Sequence, residues 1–140
     1  MSRFATRLPA GGLLMSCLVV GLCLSGCLAS QRRDNDLETT LRKYESTLRW
    51  GHLQNAYYFG RADPGQSPKI PDGLDNMRVT HYEVVRPVTR PDQDTATQLV
   101  EIQYLRRDEQ VVRRVMDSQR WQYDPQDGRW YLSSPVVQFQ

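Results

Sequence analysis

Histidine and cysteine are scarce in this chain, and no apolar run is long enough to cross a bilayer. The 140 residues include two histidines, His52 and His81, and three cysteines, Cys17, Cys23 and Cys27. With so few ligating side chains, and neither HExxH nor CxxC, the sequence offers no metal site. A phosphate-binding Gly-rich loop and a Gly-x-Ser-x-Gly elbow are also missing. Catalytic, cofactor-binding and metal-binding residues are therefore all expected to be none, and the chain is expected not to be an enzyme. An excess of charge of one sign is lacking too: 18 basic residues stand against 16 acidic, a net charge of +2.

What the sequence does carry begins at its amino end. Arg3 and Arg7 precede an apolar stretch from Leu13 to Leu24, twelve residues long. A membrane-spanning helix needs roughly 20. Leu24-Ser25-Gly26-Cys27 follows directly, and it resembles the lipobox of bacterial lipoprotein precursors. Small residues at 25 and 26 let a protease reach the Gly26–Cys27 bond. The Cys27 thiol can take a diacylglyceryl group as a thioether, and its freed amino group can take a third acyl chain. At about 0.8 kcal/mol per buried methylene, one chain binds marginally and three bind firmly. The resemblance implies a signal peptide over residues 1–26, cleavage between Gly26 and Cys27, lipidation of Cys27, and a lipid bilayer as partner. Leu28 after the cysteine, in place of the Asp of an inner-membrane retention signal, implies an outer-membrane lipoprotein facing the periplasm.

Cleavage rewrites the composition. Residues 1–26 carry Arg3 and Arg7 and no acid, so sixteen basic residues then face sixteen acidic ones. A neutral mature chain gives no argument for nucleic acid as partner. Cys17 and Cys23 leave as well, so no internal disulfide can form, and packing alone must hold a domain of about 105 residues.

Residues 27–34 read as the acylated cysteine and a tether, with residues 35–140 as one domain. The seven residues 28–34 reach roughly 25 Å when fully extended. Arg32 and Arg33 either touch lipid phosphates or are solvated spacers. Asn35 and Glu38 have the spacing of a capping box, which predicts a helix start at Asn35. Leu37, Leu41, Tyr44 and Leu48 fall on one face of that helix. Gly51 ends or bends it, and Leu53–Tyr58 continues as a second short helix. Residues 60–76 hold three Pro and three Gly and read as a loop.

Strands are expected over Met77–Val88, Ala96–Arg106, Val111–Tyr123 and Arg129–Leu132, with a hairpin turn at Asp124–Gly128. In the third strand Asp117 and Gln119 share a parity with Val111, Val115, Trp121 and Tyr123. That conflict predicts either a β-bulge near Asp117–Ser118 or a strand whose middle emerges into solvent.

The predicted fold is α+β, with N-terminal helices on a curved four-stranded antiparallel sheet. This order resembles the NTF2-like group of the cystatin-like superfold. Leu48-Arg49-Trp50-Gly51-His52, then Asn55-Ala56-Tyr57, is similar to the start of small NTF2-like lipoproteins. Trp121-Gln122-Tyr123-Asp124 leading to Trp130-Tyr131-Leu132 is similar to their last hairpin. Many such proteins have no assigned activity, so the fold by itself assigns none.

Three functional readings follow. The chain is a protein-binding or scaffolding module that meets another envelope protein through its sheet or the 60–76 loop. Alternatively it carries or senses a small apolar ligand in an internal cone. Last, it is an isomerase or hydratase in which His81 moves a proton, a role requiring an inward-facing imidazole paired with a carboxylate such as Asp117. Trp50, Tyr57, Tyr58, Tyr104, Trp121, Tyr123 and Trp130 would be core in the first reading and line the cavity in the second. Arg106, Arg107, Arg113 and Arg114 form a basic patch or a charged sheet edge.

Overall fold

A computed structural model describes the backbone of residues 11–61 and 65–140, and the side chains of 28–61 and 65–140. The signal peptide expected over 1–26, the Gly26–Cys27 cleavage site and the Cys27 side chain lie outside the described residues. The chain divides into two units, Met1–Asp34 and Asn35–Gln140. Among the described residues no helix is long and apolar enough to cross a membrane.

The expected helix start at Asn35 is not there. Helix α1 runs over Gly11–Trp50, so Asn35 sits inside it and caps nothing. Leu28, Ala29, Gln31, Arg32 and Arg33, which precede Asn35, are residue types that favour helix, and α1 runs through them. Within Asn35–Gln140, α1 buries Leu37, Tyr44 and Leu48, with Leu41 partly buried beside them. Spacings of four, three and four keep these four on one stripe. The helix ends at Trp50, where the Gly51 amide bonds the Thr47 carbonyl at 3.1 Å. A Cβ at Gly51 would meet that same carbonyl oxygen at 2.9 Å, so glycine permits the closure. A 3-10 segment over Leu53–Phe59 then buries Leu53 and Ala56.

Four strands follow: β1 (Met77–Thr89), β2 (Thr95–Arg106), β3 (Val112–Asp124) and β4 (Arg129–Leu132). They form one antiparallel sheet in the order β1-β2-β3-β4, so the chain is α+β, helical segments with a four-stranded meander. Alternation in β2 is strict: Ala96, Gln98, Val100, Ile102 and Tyr104 are buried, and their neighbours are half-exposed. A half-buried antiparallel strand requires this period of two. The β3–β4 turn carries Gly128 at φ 64°, and Asp124 Oδ1 accepts the Gln126 amide at 2.8 Å.

The expected bulge near Asp117–Ser118 is absent. Pairing of β2 with β3 is unbroken from Thr95↔Gln122 to Leu105↔Val112. The middle of β3 does not emerge into solvent either, because Asp117 and Gln119 are buried and bonded to other polar side chains. The irregularities lie in β1, between Val79 and His81, Val84 and Arg86, and Arg86 and Thr89. Pro87 lies within β1, an edge strand, where a missing N–H is tolerated. The segment after Pro135 forms no strand. It lies against the buried sheet face, with Val137 in the core and Phe139 edge-on to Tyr104 at 5.0 Å.

Candidate functional site

The interior is filled by aromatics. Tyr44 from α1, Phe59 from the 3-10 segment and Trp121 from β3 meet edge to face, with centroids 5.2 to 6.2 Å apart. This arrangement suits the ring quadrupoles and occupies the centre of the inner sheet face. Tyr104, Trp121 and Trp130 are core residues, whereas Trp50 is 74% exposed and Tyr58 57%.

Beside the aromatic centre lies a buried polar cluster that local parity reads as a defect. Gln98 and Gln119 stand directly opposite each other on β2 and β3. Gln98 Nε2 donates to Gln119 Oε1 at 2.7 Å, and Gln119 Nε2 donates to Asp117 Oδ2 at 2.8 Å and to the Tyr82 hydroxyl at 3.1 Å. Burial raises the Asp117 carboxyl above the ordinary aspartate range, and the bond from Gln119 offsets part of that. Burial also pushes the Tyr44 and Tyr82 hydroxyls far up, with the nearby Asp117 charge adding to both shifts. The cluster is buried, and Gln98 and Gln119 also line an open pocket of about 290 Å³.

His81 does not join it. Its strand neighbour Tyr82 points inward, while His81 lies on the outer face with its Nε2 3.5 Å from Glu83 and half its side chain exposed. The His81–Asp117 pairing that proton transfer would need is therefore not formed. The basic residues at the β2–β3 turn are mostly compensated. Arg106 meets Asp108 and Glu109, Arg113 meets Glu109, and Arg114 meets Glu101.

An open cleft lies at the other sheet edge, where the start of the 60–76 loop meets the β3–β4 hairpin. It has two lobes of about 340 and 520 Å³ that share Arg61 and Tyr131. Arg61, whose side chain is 71% exposed, pairs at 2.8 Å with Asp124, whose side chain is 8% exposed. Tyr131 donates its hydroxyl to Asp127, and this bond raises its pKa. The Arg129 guanidinium lies 4.3 Å from the Tyr131 ring centre and that of Arg61 6.0 Å, a cation–π arrangement. Lys69 and Arg129 have no acidic partner among the described residues, whereas Asp124 and Asp127 are engaged. The larger lobe thus carries aromatic and cationic side chains, from Tyr57, Tyr58, Arg61, Lys69, Arg129 and Tyr131, beside the loop residues Gly60, Gln66, Ser67 and Pro68.

Sequence reasoning marked the 60–76 loop as a contact surface but missed Arg61 and Tyr131. Their juxtaposition depends on Gly60 bridging to Leu132, a contact across more than seventy residues. Among the described residues no group of three or more His, Cys, Asp or Glu side chains could hold a metal ion. No family model, no curated protein and no solved structure matches the chain.

Proposed function

We propose that this chain is a lipid-anchored protein of the bacterial envelope whose domain, an NTF2-like fold of the cystatin-like class, binds an acidic segment of another envelope protein. The anchor reading rests on Leu24-Ser25-Gly26-Cys27 and the short apolar run before it. Its site is the outer membrane, facing the periplasm. The fold reading is supported by the order of elements, helix first and a four-stranded meander after.

The observation that carries the binding role is the cleft around Arg61 and Tyr131. Aromatic and arginine side chains dominate the binding energy of protein interfaces. Here they line an open concavity whose uncompensated charge, from Lys69 and Arg129, favours an acidic partner. The packed centre formed by Tyr44, Phe59 and Trp121 disfavours an internal ligand, and the outward position of His81 disfavours proton-transfer chemistry there.

A photoreactive amino acid at Tyr58, which is exposed, tests this in intact cells. The expected result is one discrete crosslinked protein, with its yield cut about tenfold, roughly 1.4 kcal/mol, by Arg129→Glu. Absence of any crosslink at the cleft, or a yield indifferent to Arg129→Glu, contradicts the proposal.

A further inference from the structure

A second concavity, at the start of β1, gathers charge of one sign. It measures about 210 Å³, and Arg49, Arg78 and Arg107 line it with no acidic side chain among them. Three elements deliver these arginines: α1, β1 and the turn that follows β2. The Arg107 amide donates to the Asn76 carbonyl at 2.8 Å, which ties that turn to the start of β1. Buried Leu48 and Val79 contribute to the wall, and Trp50 stands at the rim, 74% exposed.

The acids that could neutralise these arginines are held elsewhere. Glu45 pairs with Arg49 at 3.3 Å. Asp108 takes bonds from Asn76 and Arg106, and Asp75 takes one from Gln54. Arg78 and Arg107 are thus without an acidic partner among the described residues. The carboxyl end of α1 adds about half a negative charge, which offsets only part of two guanidinium charges. Like charges gathered around one concavity repel each other, and a bound anion relieves that repulsion. The Arg49 guanidinium also lies 4.9 Å from the Trp50 ring centre. Tryptophan and arginine together are the side chains that most often carry binding energy.

We infer that Arg49, Arg78 and Arg107 form an oxyanion site that takes the terminal phosphate of a phosphomonoester. Each guanidinium is a planar fork of donors, and a phosphomonoester presents three terminal oxygens to three such forks. A carboxylate, with two oxygens, leaves one fork unused. Trp50 at the rim meets the group that carries the phosphate. Arg78 and Arg107 are exposed, so the attraction is screened and binding weakens as ionic strength rises. A soluble phosphomonoester and a lipid headgroup offer the arginines the same chemistry. The site shares no lining residue with the Arg61–Tyr131 cleft, and it requires neither the anchor nor the acidic partner.

The test uses the full chain in a non-ionic detergent. Trp121 and Trp130 are 0% and 3% exposed, so quenching of fluorescence by acrylamide reports on Trp50. Glycerol phosphate is expected to protect Trp50 from acrylamide saturably, while sodium chloride at matched ionic strength gives no protection. Arg78→Gln combined with Arg107→Gln is expected to weaken binding about tenfold or more. Unchanged quenching of that variant without ligand shows that its fold is kept, and equilibrium dialysis of radiolabelled glycerol phosphate repeats the comparison without fluorescence. Phosphatidic acid mixed into the detergent is the second arm. Protection by it where glycerol phosphate gives none supports the site and assigns its phosphate to a lipid headgroup. No saturable protection by either phosphate overturns the site. Protection that survives both substitutions places the anion elsewhere and equally overturns it, and acetate that protects as well as the phosphates overturns the phosphomonoester as ligand.

Discussion

Asp117 is a carboxylate on the buried face of a strand, with no cation beside it among the described residues. Its nearest help is a neutral amide, Gln119, which in turn is held by Gln98 and Tyr82. A buried polar network of this kind specifies one packing and penalises any incomplete one. Because burial raises its folded-state pKa, the folded chain holds the Asp117 proton more tightly than the unfolded chain does. The contribution of Asp117 to stability is therefore complete below its unfolded pKa and is lost as pH rises through the folded value. Asp117→Asn keeps an acceptor for Gln119 and removes the charge. Urea denaturation should show the variant and the parent close together near pH 4, and the variant more stable by about 1 kcal/mol near pH 7. The opposite order near neutrality would mean that the carboxylate is stabilised in a way its surroundings do not show.

At the scale of elements, the carboxyl-terminal segment does work that its irregular backbone conceals. Val137 is 5% exposed within the core, Phe139 packs on Tyr104, and the Tyr104 hydroxyl bonds the Gln140 carbonyl at 3.0 Å. Val137→Ala should lower the unfolding free energy by about 2 kcal/mol, from lost burial plus the cavity left behind. A denaturation midpoint unchanged by Val137→Ala would show that the segment is not part of the folding unit. Much of the element pattern was legible beforehand because its causes are local. Period-two alternation marks β2, Gly128 marks the last turn, and the Leu37–Leu48 stripe marks the helix face. Illegible features were those decided at a distance. Asp117 and Gln119 look like a broken strand until Gln98 and Tyr82 supply partners 21 and 37 residues from Gln119. Asn35 looks like a cap because its own spacing is right, but the residues before it favour helix as well. The cleft was half visible: its loop announced itself by proline and glycine, whereas Tyr131 reads as one more hairpin aromatic.

Across the whole molecule, the proposed function joins a lipid anchor to a recognition surface. The proposed anchor at Cys27 would fix where the domain works, and the seven residues 28–34 would limit what it can reach. The cleft on the β4 edge presents the cations and aromatics that the proposed acidic partner would meet. The proposed function depends on the chemistry at Cys27, because without acyl chains nothing would hold the domain to a membrane. Mass spectrometry of the amino-terminal peptide of the membrane-extracted protein is the most direct test. The account predicts a chain that begins at Cys27, lacks residues 1–26 and carries a thioether-linked diacylglyceryl group and a third acyl chain on its amino group. A free Cys27 thiol, or an intact peptide bond between Gly26 and Cys27, would contradict it.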